Sequence, residues 1–377
     1  MRPVAHEGVQ CMERDVTVRG YEPGDEASIL LLLERAFRWP AFDIEVPKID
    51  HWRWKYLDNP LGFQLIGLVE DENGIICHSG GLPLMIMVGS ELFRGLEGSD
   101  ICRDPDRASE SMLIDAIRSK NEQAGKKGIE FAFSFPAEGM YGHLVGEFGY
   151  RDTGLRMLRH IFVLQPERFF KEVRMGPFKR IVYWLSTMGK GRAHQSAARD
   201  SNGYDLEDLD RFDSEFDELT LIAAKSFGII PLRSQERMNW RYADKRAGDF
   251  YIRTARHAGR MVGYVILKAS GSKGSRYCVV ADLLIDPEFP TAVDVLLLES
   301  LRYARTMDAV SLSCNLLDNH PYIKPLRRMG FVMLRDPPDA DWTRLTVSNR
   351  QGNAHIENTL NAKNLKVHIM VGDTDGI

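Results

Sequence analysis

The sequence repeats itself once. Three short motifs of the first half return in the second half in the same order and at a nearly constant spacing. The pairs are Trp54-Lys55-Tyr56 with Trp240-Arg241-Tyr242, Asp104-Pro105 with Asp286-Pro287, and Phe148-Gly149-Tyr150 with Met329-Gly330-Phe331. Because this period is close to half the length of the chain, and thus much longer than that of solenoid repeats, it indicates a duplicated domain.

One predicted strand also occurs twice. In 129–134 apolar residues alternate with polar or small ones, and the same alternation returns in 310–314, at the same spacing as the third motif. A period of two is typical of a strand with one buried face. Downstream, Tyr141 and Tyr322 each lie eight residues before the glycine of the third motif. We therefore infer two copies of one fold.

The composition suits a globular protein of two domains. A chain of 377 residues accommodates two domains of about 150 to 180 residues and a connector. The chain has 44% hydrophobic and 27% charged residues, which are ordinary values, and its net charge of −4 gives no general attraction for nucleic acid. We expect no nucleic-acid partner, and the sequence leaves the oligomeric state open.

The cysteines and histidines predict neither a disulfide framework nor a metal site. The five cysteines are scattered without a CxxC pair, and no histidine stands at metal-ligand spacing. Free thiols are typical of a reducing compartment. The longest early apolar run, 29–33, is far too short to cross a bilayer, and no apolar signal segment precedes it. We expect a cytoplasmic protein with no metal and no transmembrane segment.

The repeat divides the chain into four parts. We predict an N-terminal domain at 16–165, a connector at 166–203, a C-terminal domain at 204–347 and a tail with a final strand at 348–377. In the connector, apolar and aromatic residues are interspersed with lysines and arginines. A basic amphipathic segment can lie on a membrane surface, but packing of its apolar side on the two domains is the simpler explanation.

Each half has the same predicted order of elements: strand, helix, three strands, helix, strand, helix, strand. In the first half, 63–69, 75–80 and 84–88 are rich in β-forming residues, and Asn73-Gly74 is a strong hairpin signal. A helix is predicted over 109–124, because apolar residues recur there at helical spacing before Gly125. This order predicts an α/β fold of the α+β type, with a mixed sheet flanked by helices.

Together these features resemble the GNAT superfamily of acyl-CoA-dependent N-acyltransferases. In each half a strand and Asp-Pro precede a helix, a second strand, and a helix that ends in Gly-aromatic. The motif Trp52-x-Trp54-Lys55-Tyr56-x-x-Asn59-Pro60 and, more weakly, the segment 370–375 are also similar to some members. The resemblance covers 16–164 and 204–347 and implies two tandem GNAT-like domains, with acetyl-CoA or another acyl-CoA as co-substrate.

The resemblance also implies that a helix N-terminus holds the pyrophosphate of coenzyme A, where backbone N–H groups and the helix dipole favour an anion. The first half lacks the usual glycines, and Asp106 and Glu110 add negative charge. A degraded loop of this kind can still bind through its small residues and its arginine. The implied cofactor-binding residues are Ile101, Cys102, Arg107, Ala108, Ser109, Ser111 and Met112.

The equivalent stretch of the second half, 288–294, departs further from the superfamily pattern. Pro290 removes an N–H donor, Val293 stands where glycine is expected, and no basic residue is present. We expect the second half to have lost the cofactor and the first half to be the working unit.

The implied reaction needs a base, an acid and N–H donors for the carbonyl. Tyr141 is the candidate acid, although the usual position, one helical turn later, is held by Val145. Glu97 and Asp100, on or beside the strand that would line the acyl site, are candidates for the base. Packing is the alternative role for the aromatic residues, and simple solvation for the carboxylates. The candidate substrate-binding residues are Trp52, Trp54, Tyr56 and Glu138.

Three functional hypotheses follow from the sequence. The first is an N-acyltransferase, in particular an N-acetyltransferase, that acts on an amine of a small molecule or peptide. The second is a binding or scaffold protein that kept the fold after losing coenzyme A. The third is a Fem-like transferase that uses another acyl donor, such as aminoacyl-tRNA, which the net charge of −4 disfavours.

Overall fold

The computed structural model describes residues 15–37, 39–40, 43–136, 139–172, 203–271, 275–334 and 341–374. Most of the predicted connector lies outside the described residues. The prediction that this connector is a basic amphipathic segment therefore concerns residues outside the described ranges. Glu138 and the last residue of the segment 370–375 lie outside them as well.

The first half contains the predicted order of elements and one additional helix, α2, which carries the tryptophan motif. The elements are β1 (Thr17–Gly20), α1 (Glu26–Phe37), α2 (Lys48–Tyr56), β2 (Leu65–Asp71), β3 (Gly74–Val88), β4 (Glu91–Arg103), α3 (Glu110–Lys126), β5 (Phe131–Ser134), α4 (Tyr141–Gly146) and β6 (Arg151–Val163). Helix α5 (Pro166–Glu172) follows at the start of the predicted connector.

The second half repeats this order. Its elements are β7 (Asp205–Asp208), α6 (Glu215–Ala224), β8 (Ile229–Pro231), α7 (Gln235–Met238), β9 (Tyr251–His257), β10 (Arg260–Ser270), β11 (Tyr277–Ile285), α8 (Ala292–Thr306), β12 (Ser311–Leu317), α9 (Ile323–Met329), β13 (Val332–Leu334), β14 (Arg344–Asn349) and α10 (Ala354–Leu360). A π-helical turn (Asn239–Ala243) holds the second tryptophan motif. The predicted mixed α/β architecture is therefore confirmed.

Strand β3 differs from the sequence prediction, because 75–80 and 84–88 belong to one continuous strand. The glycines between them mark close packing instead of a turn. A Cβ atom on Gly80 would lie 2.5 Å from the Tyr56 hydroxyl, and one on Gly81 would lie 2.5 Å from the Leu96 side chain. The predicted hairpin at Asn73-Gly74 is present, since Asp71 pairs with Gly74 at the β2–β3 turn.

The described strands form a single sheet in the order β1-β2-β3-β4-β5-β14-β6-β12-β11-β10-β9-β7, to which β8 and β13 add at β3 and β6. The pairs β4–β5 and β11–β12 are parallel. Strand β14 of the second half lies between β5 and β6 of the first. Strand β6 in turn pairs with β12 and β13 of the second half.

This exchange of strands makes each half part of the other's sheet. The predicted boundary at residue 347 falls inside β14, whose residue Val347 pairs with Phe133 of β5. The predicted tail packs on the first half as well, since Ile356 and Val367 belong to a core cluster that contains Phe131. The domain limits inferred from the repeat remain a prediction. The sheet itself is continuous across them.

The two tryptophan motifs meet where the halves face each other. The rings of Trp54 and Trp240 stack with centroids 5.0 Å apart and planes 23° from parallel. The indole N–H of Trp54 donates to the carbonyl oxygen of Trp240 at 2.7 Å, and the indole N–H of Trp240 donates to that of Trp54 at 2.9 Å. The first repeated motif thus forms a reciprocal contact between the two halves.

The second repeated motif builds the same turn in both halves. The carboxylate of Asp104 accepts from the backbone N–H of Asp106 at 3.0 Å, and that of Asp286 accepts from Glu288 at 2.9 Å. Each aspartate is also paired with an arginine of its own half, Asp104 with Arg35 and Asp286 with Arg260, both at 2.7 Å. The repeated Asp-Pro is therefore a structural element of the strand end.

Helix α3 packs closely on the sheet and buries a lysine. A Cβ atom on Gly67 of β2 would lie 1.9 Å from the carbonyl oxygen of Ala116, so only glycine allows this approach. One turn later Lys120 is 3% exposed, and its ammonium lies 3.9 Å from where a Cβ atom of Gly98 would stand. Burial lowers the pKa of Lys120 to about 8.

Within the described ranges, no helix has both the length and the apolar composition needed to cross a membrane.

Replacing Trp54 with phenylalanine should destabilise the protein by about 1–3 kcal/mol, because the partly buried carbonyl of Trp240 loses its donor while most of the ring stacking is kept. Urea unfolding followed by circular dichroism measures the change. The matched control is Trp342→Phe, at a residue that is 46% exposed, which should change the free energy of unfolding by less than about 0.5 kcal/mol. Equal effects of the two variants would contradict a specific role for the Trp54 contact.

Replacing Lys120 with methionine should stabilise the protein at pH 7 by up to about 3 kcal/mol. The folded-state pKa of Lys120 lies below its unfolded value, so the native state binds fewer protons between about pH 8 and pH 10.5 and the stability of the wild type rises with pH there. The gain from Lys120→Met should therefore be largest below pH 8 and shrink toward pH 10.5. Urea unfolding at several pH values tests this, with the exposed Lys126→Met as control, and a gain independent of pH would refute it.

Candidate functional site

The parallel strands of the first half separate at their carboxyl ends. Strand β4 pairs with β5 from Gly95–Phe131 to Glu97–Phe133 and then continues to Arg103 along β3 alone. Ser134 at the end of β5 pairs on its other side with Thr346 of β14. The edge of β4 beyond Glu97 is therefore released from its parallel neighbour, and the strands form the arms of a V.

A cavity of about 520 Å³ lies at this separation, and we call it the splay cavity. Both halves of the chain contribute to its walls. The first half provides Phe37, Trp39, Pro40, His51, Trp54, Lys55, Glu97, Gly98, Asp100, Ile101, Ser134, Phe135, Pro136, Met140, Leu144 and Met157, and the second half provides Arg241, Asn315, Trp342, Val371 and Thr374. A volume of this size is typical of small-molecule sites.

Asp100 lies at a bulge in β4 where the register with β3 shifts, and its φ of 46° is in the left-handed region. Its carboxylate oxygen Oδ2 is 2.7 Å from the ammonium of Lys55 and accepts from the Tyr56 hydroxyl at 2.6 Å and from the indole N–H of Trp39 at 3.1 Å. Burial alone would raise the pKa of Asp100, but Lys55 and Tyr56 outweigh it and hold the pKa below its usual range.

The environment of Asp100 bears on its predicted role as a base. A carboxylate with a lowered pKa and three donors on one oxygen accepts a further proton poorly. The geometry suits a different task, because Asp100 fixes Lys55 and Tyr56 of the repeated motif beside the bulge. Its role as a base remains an untested prediction.

Glu97, the other candidate base, is 3% exposed and lines the splay cavity at the last position where β4 pairs with β5. Its negative charge acts on both Lys120 and Arg241. It is therefore a buried carboxylate whose charge acts on one cation from each half of the chain.

Arg241 is a residue of the second half that lines the splay cavity. Its guanidinium lies 5.6 Å from the centre of the Trp54 ring and donates to the carbonyl oxygens of Gly372 at 2.9 Å and Thr374 at 2.7 Å. These bonds hold the C-terminal segment against the cavity wall. Sequence reasoning missed both Lys55 and Arg241 as site residues, although their place at the centre of the repeated motif was a signal for them.

His51 is a further residue that the sequence did not single out. It is 2% exposed, its ring lies between those of Trp39 and Trp54, and its Nδ1 donates to the carbonyl of Arg246 at 2.6 Å. Burial lowers the pKa of His51 to about 4, so the ring is neutral at physiological pH. Asn315 of β12, also in the cavity wall, was missed because nothing in its sequence context marks it.

The other predicted substrate and catalytic residues have different surroundings. Trp54 lines the splay cavity, whereas Trp52 and Tyr56 belong to a hydrophobic core cluster, from which Tyr56 reaches Asp100. The hydroxyl of Tyr141 donates to Asp152 at 3.2 Å, and Tyr141 is not part of the cavity wall. The predicted role of Tyr141 as the acid therefore has no contact with the cavity to support it.

The predicted pyrophosphate loop uses many of its polar groups internally. Arg107 forms an ion pair with Asp71 at the end of β2. The backbone N–H of Ala108 donates to the carbonyl of Asp104 at 3.0 Å, and the hydroxyl of Ser109 accepts from the N–H of Met112 at 3.3 Å as the cap of α3. The helix start is therefore a self-capped N-terminus.

The remaining predicted cofactor residues divide between the cavity, the core and the helix start. Ile101 lines the splay cavity, and Cys102 is buried, which raises the pKa of its thiol. The hydroxyl of Ser111 is 2.8 Å from that of Ser109. Beside them, His143 of α4 bridges the carboxylates of Glu110 and Glu147, and hydrogen bonds to these two groups raise its pKa.

The second half has a corresponding separation of strands, but its own side chains occupy it. The pairing of β11 with β12 ends at Val280–Cys314, while β11 continues to Ile285. The N–H of Ile285 donates to the hydroxyl of Tyr322 at 3.1 Å. Tyr322, the sequence equivalent of Tyr141, thus bonds to the edge of β11 beyond its pairing with β12.

A buried ionic cluster completes this closure. Arg233 is 1% exposed and pairs with Asp282 at 3.2 Å and with Asp373 at 2.7 Å. The Nε2 atom of His320 and the Nδ1 atom of His368 are 2.9 Å apart, and the Nε2 atom of His368 lies 3.9 Å from a carboxylate oxygen of Asp282. Burial alone would raise the pKa of Asp282, but Arg233 and His368 hold it well below its usual range. The cluster fixes the C-terminal segment in the second half.

In the part of the chain that the structure describes, no three His, Cys, Asp or Glu side chains come together as ligands for a metal ion.

No protein-family model and no curated protein matches the chain in sequence.

Solved structures do match it in three dimensions. A GCN5-related N-acetyltransferase from Anabaena variabilis superposes with a TM-score of 0.59 at 12% identity, over 88% of this chain and 72% of that one. The N-myristoyltransferase of Saccharomyces cerevisiae with bound myristoyl-CoA gives a TM-score of 0.58 at 11% identity, over 89% and 82%. A conserved protein from Enterococcus faecalis, described as a probable N-acyltransferase, gives 0.58 at 9% identity, over 89% and 74%.

At these identities the likeness concerns the fold, and it extends over both halves of the chain. Together with the repeated order of elements and the two pairs of separating parallel strands, it identifies the architecture. The chain therefore has the fold of the GNAT superfamily, present twice in tandem.

Proposed function

We propose that the protein is an N-acyltransferase that moves an acyl group from acyl-CoA to an amine, with the splay cavity as its working site. The observation that carries the proposal is the open separation of β4 and β5 beside a cavity of about 520 Å³. The structural neighbours described as N-acetyltransferase and N-myristoyltransferase, the latter with bound myristoyl-CoA, support an acyl-CoA as donor. The acceptor is an amine of a small molecule or peptide.

The contrast between the two separations supports the first half as the working unit. In the second half, the N–H of Ile285 donates to the hydroxyl of Tyr322, and Asp282 of β11 forms a buried ion pair with Arg233. In the first half, the hydroxyl of Tyr141 donates to the carboxylate of Asp152 and not to the edge of β4. The same fold position is therefore plugged in one copy and open in the other.

The proposed reaction is a direct transfer. The amine nitrogen bonds to the thioester carbonyl carbon, the C–S bond breaks, coenzyme A leaves as the thiolate, and the amine proton passes to a base. Backbone N–H groups on the released edge of β4 can stabilise the developing oxyanion. Glu97 is the base in this scheme, and Lys55, fixed by Asp100 at 2.7 Å, is the cation that offsets the thiolate charge.

A non-catalytic binding protein is the second candidate, and the pyrophosphate loop favours it. Arg107 is paired with Asp71, Asp104 with Arg35, and Glu110 with His143. The charged side chains at the start of α3 are therefore engaged with one another, and a pyrophosphate would have to compete with these pairs. Both candidates share the splay cavity and differ in whether coenzyme A binds.

Filling the separation in the first half should abolish acyl-CoA binding. A Cβ atom on Gly98 would have only ordinary contacts of 3.8–3.9 Å, and the side chain of Gly98→Leu would extend from it into the cavity that Gly98 lines. Calorimetric titration of acetyl-CoA and octanoyl-CoA should show at least about a tenfold loss of affinity relative to the wild type. The matched control is Gly125→Leu on the exposed side of α3, where nothing lies within 4 Å.

Two outcomes of this titration would count against the proposal. No binding of either acyl-CoA to the wild type would favour the non-catalytic candidate. Equal affinities of the wild type and Gly98→Leu, with melting temperatures that show both are folded, would place the donor site elsewhere in the molecule.

The partner of Arg107 decides whether the loop can hold phosphate. Asp71→Asn keeps the side-chain oxygen that accepts from the N–H of Asn73 but removes the charge that pairs with Arg107. If Arg107 binds the pyrophosphate, Asp71→Asn should tighten acyl-CoA binding several-fold and Arg107→Ala should weaken it by a similar factor. Calorimetry at low and high salt measures both changes. Affinities that stay constant in both variants would show that the Arg107–Asp71 pair is only structural.

A further inference from the structure

The charges that line the splay cavity are engaged with partners in the protein. Lys55 and Asp100 form an ion pair at 2.7 Å, with side chains 6% and 8% exposed. Arg241 is bonded to the carbonyls of Gly372 and Thr374 and stacks on Trp54. Counted formally, the negative charges of Glu97 and Asp100 equal the positive charges of Lys55 and Arg241. The walls therefore carry no net formal charge that would favour a multiply charged ligand.

Apolar and aromatic side chains make up most of the rest of the lining. Phe135 follows β5, Met140 directly precedes α4, Leu144 lies within α4, and Met157 lies on β6. Methionine and aromatic surfaces of this kind favour an apolar ligand group, which leaves water for a nonpolar wall. Trp39 and Trp54 already direct their indole N–H groups at Asp100 and at the Trp240 carbonyl.

An independent sign of an apolar ligand is the exposure of aromatic residues around this cavity. Among the described residues, the exposed large hydrophobic side chains include one phenylalanine and one tryptophan, Phe37 at 43% and Trp342 at 46%. Both line the splay cavity, and they come from opposite halves of the chain. Exposed aromatic surface gathered at the rim of a cavity is typical of a binding site.

We propose that the acceptor is a hydrophobic amine, of the arylalkylamine class, whose ring lies against Phe37 and Trp342 while its amino group reaches the edge of β4. The inference rests on the proposed acyl transfer in that it calls the amine an acceptor. The preference for an amine with an apolar group rests only on the side chains that line the cavity. A cavity of about 520 Å³ accommodates a single substituted ring together with the reacting carbon. Polyamines and small hydroxylated amines gain little from these walls.

The test is calorimetric titration of phenethylamine, ethanolamine and spermidine into the full-length protein, with and without coenzyme A. Phenethylamine should bind at least tenfold more tightly than the other two. Trp342→Ala and Phe37→Ala should each weaken phenethylamine binding at least tenfold, while the exposed Leu92→Ala, outside the cavity wall, should leave it unchanged. Melting temperatures verify that the variants are folded.

The outcomes separate this inference from the proposed function. Equal affinities for the three amines, or equal effects of Trp342→Ala and Leu92→Ala, would overturn the hydrophobic acceptor. If Trp342→Ala instead removes a preference for octanoyl-CoA over acetyl-CoA and leaves phenethylamine binding intact, the apolar group belongs to the acyl chain and the inference is wrong. Tight phenethylamine binding that depends on Trp342, in a protein that binds no acyl-CoA, supports the hydrophobic amine site and rejects the acyl transfer.

Discussion

The structure depends on the reciprocal contact of Trp54 and Trp240, in which each indole N–H satisfies the other's backbone carbonyl at 2.7 and 2.9 Å. A partly buried carbonyl that loses its donor is costly, so neither motif can separate from its partner without leaving such a group behind. Because β6 and β14 cross between the halves at the same time, the sheet and the motif contact fix one relative position of the copies. The splay cavity exists only in that position, since both halves line it.

Equivalent motifs make different contacts in the two halves because their neighbours differ. Lys55 meets the carboxylate of Asp100, whereas its equivalent Arg241 meets the carbonyls of Gly372 and Thr374. The tyrosine that precedes the third motif bonds to Asp152 in one half and, as Tyr322, to a strand N–H in the other. The two halves therefore share the framework, whereas the residues around their separating strands differ.

The sequence predicted what local pattern controls. The repeat, the order of elements, the Asn73-Gly74 hairpin and the helix after Asp104-Pro105 all follow from periodicity and turn chemistry, and the structure confirms them. The exchange of β6 and β14 could not be predicted, because pairing partners that lie in opposite halves of the chain leave no local signal. For the same reason, the joining of Arg241 and Trp342 to Glu97 in one cavity was not foreseen.

The aromatic motif has structural contacts besides its predicted role in substrate binding. Trp52, Trp54 and Tyr56 were candidates for substrate contact, yet Trp54 chiefly joins the halves and Tyr56 orients Asp100. Their repetition was a signal of this, since a residue needed by both copies serves the framework they share. A substrate-specific surface should instead be found where the copies differ. Phe37 and Trp342, which belong to none of the repeated motifs and yet remain exposed beside the cavity, fit that requirement.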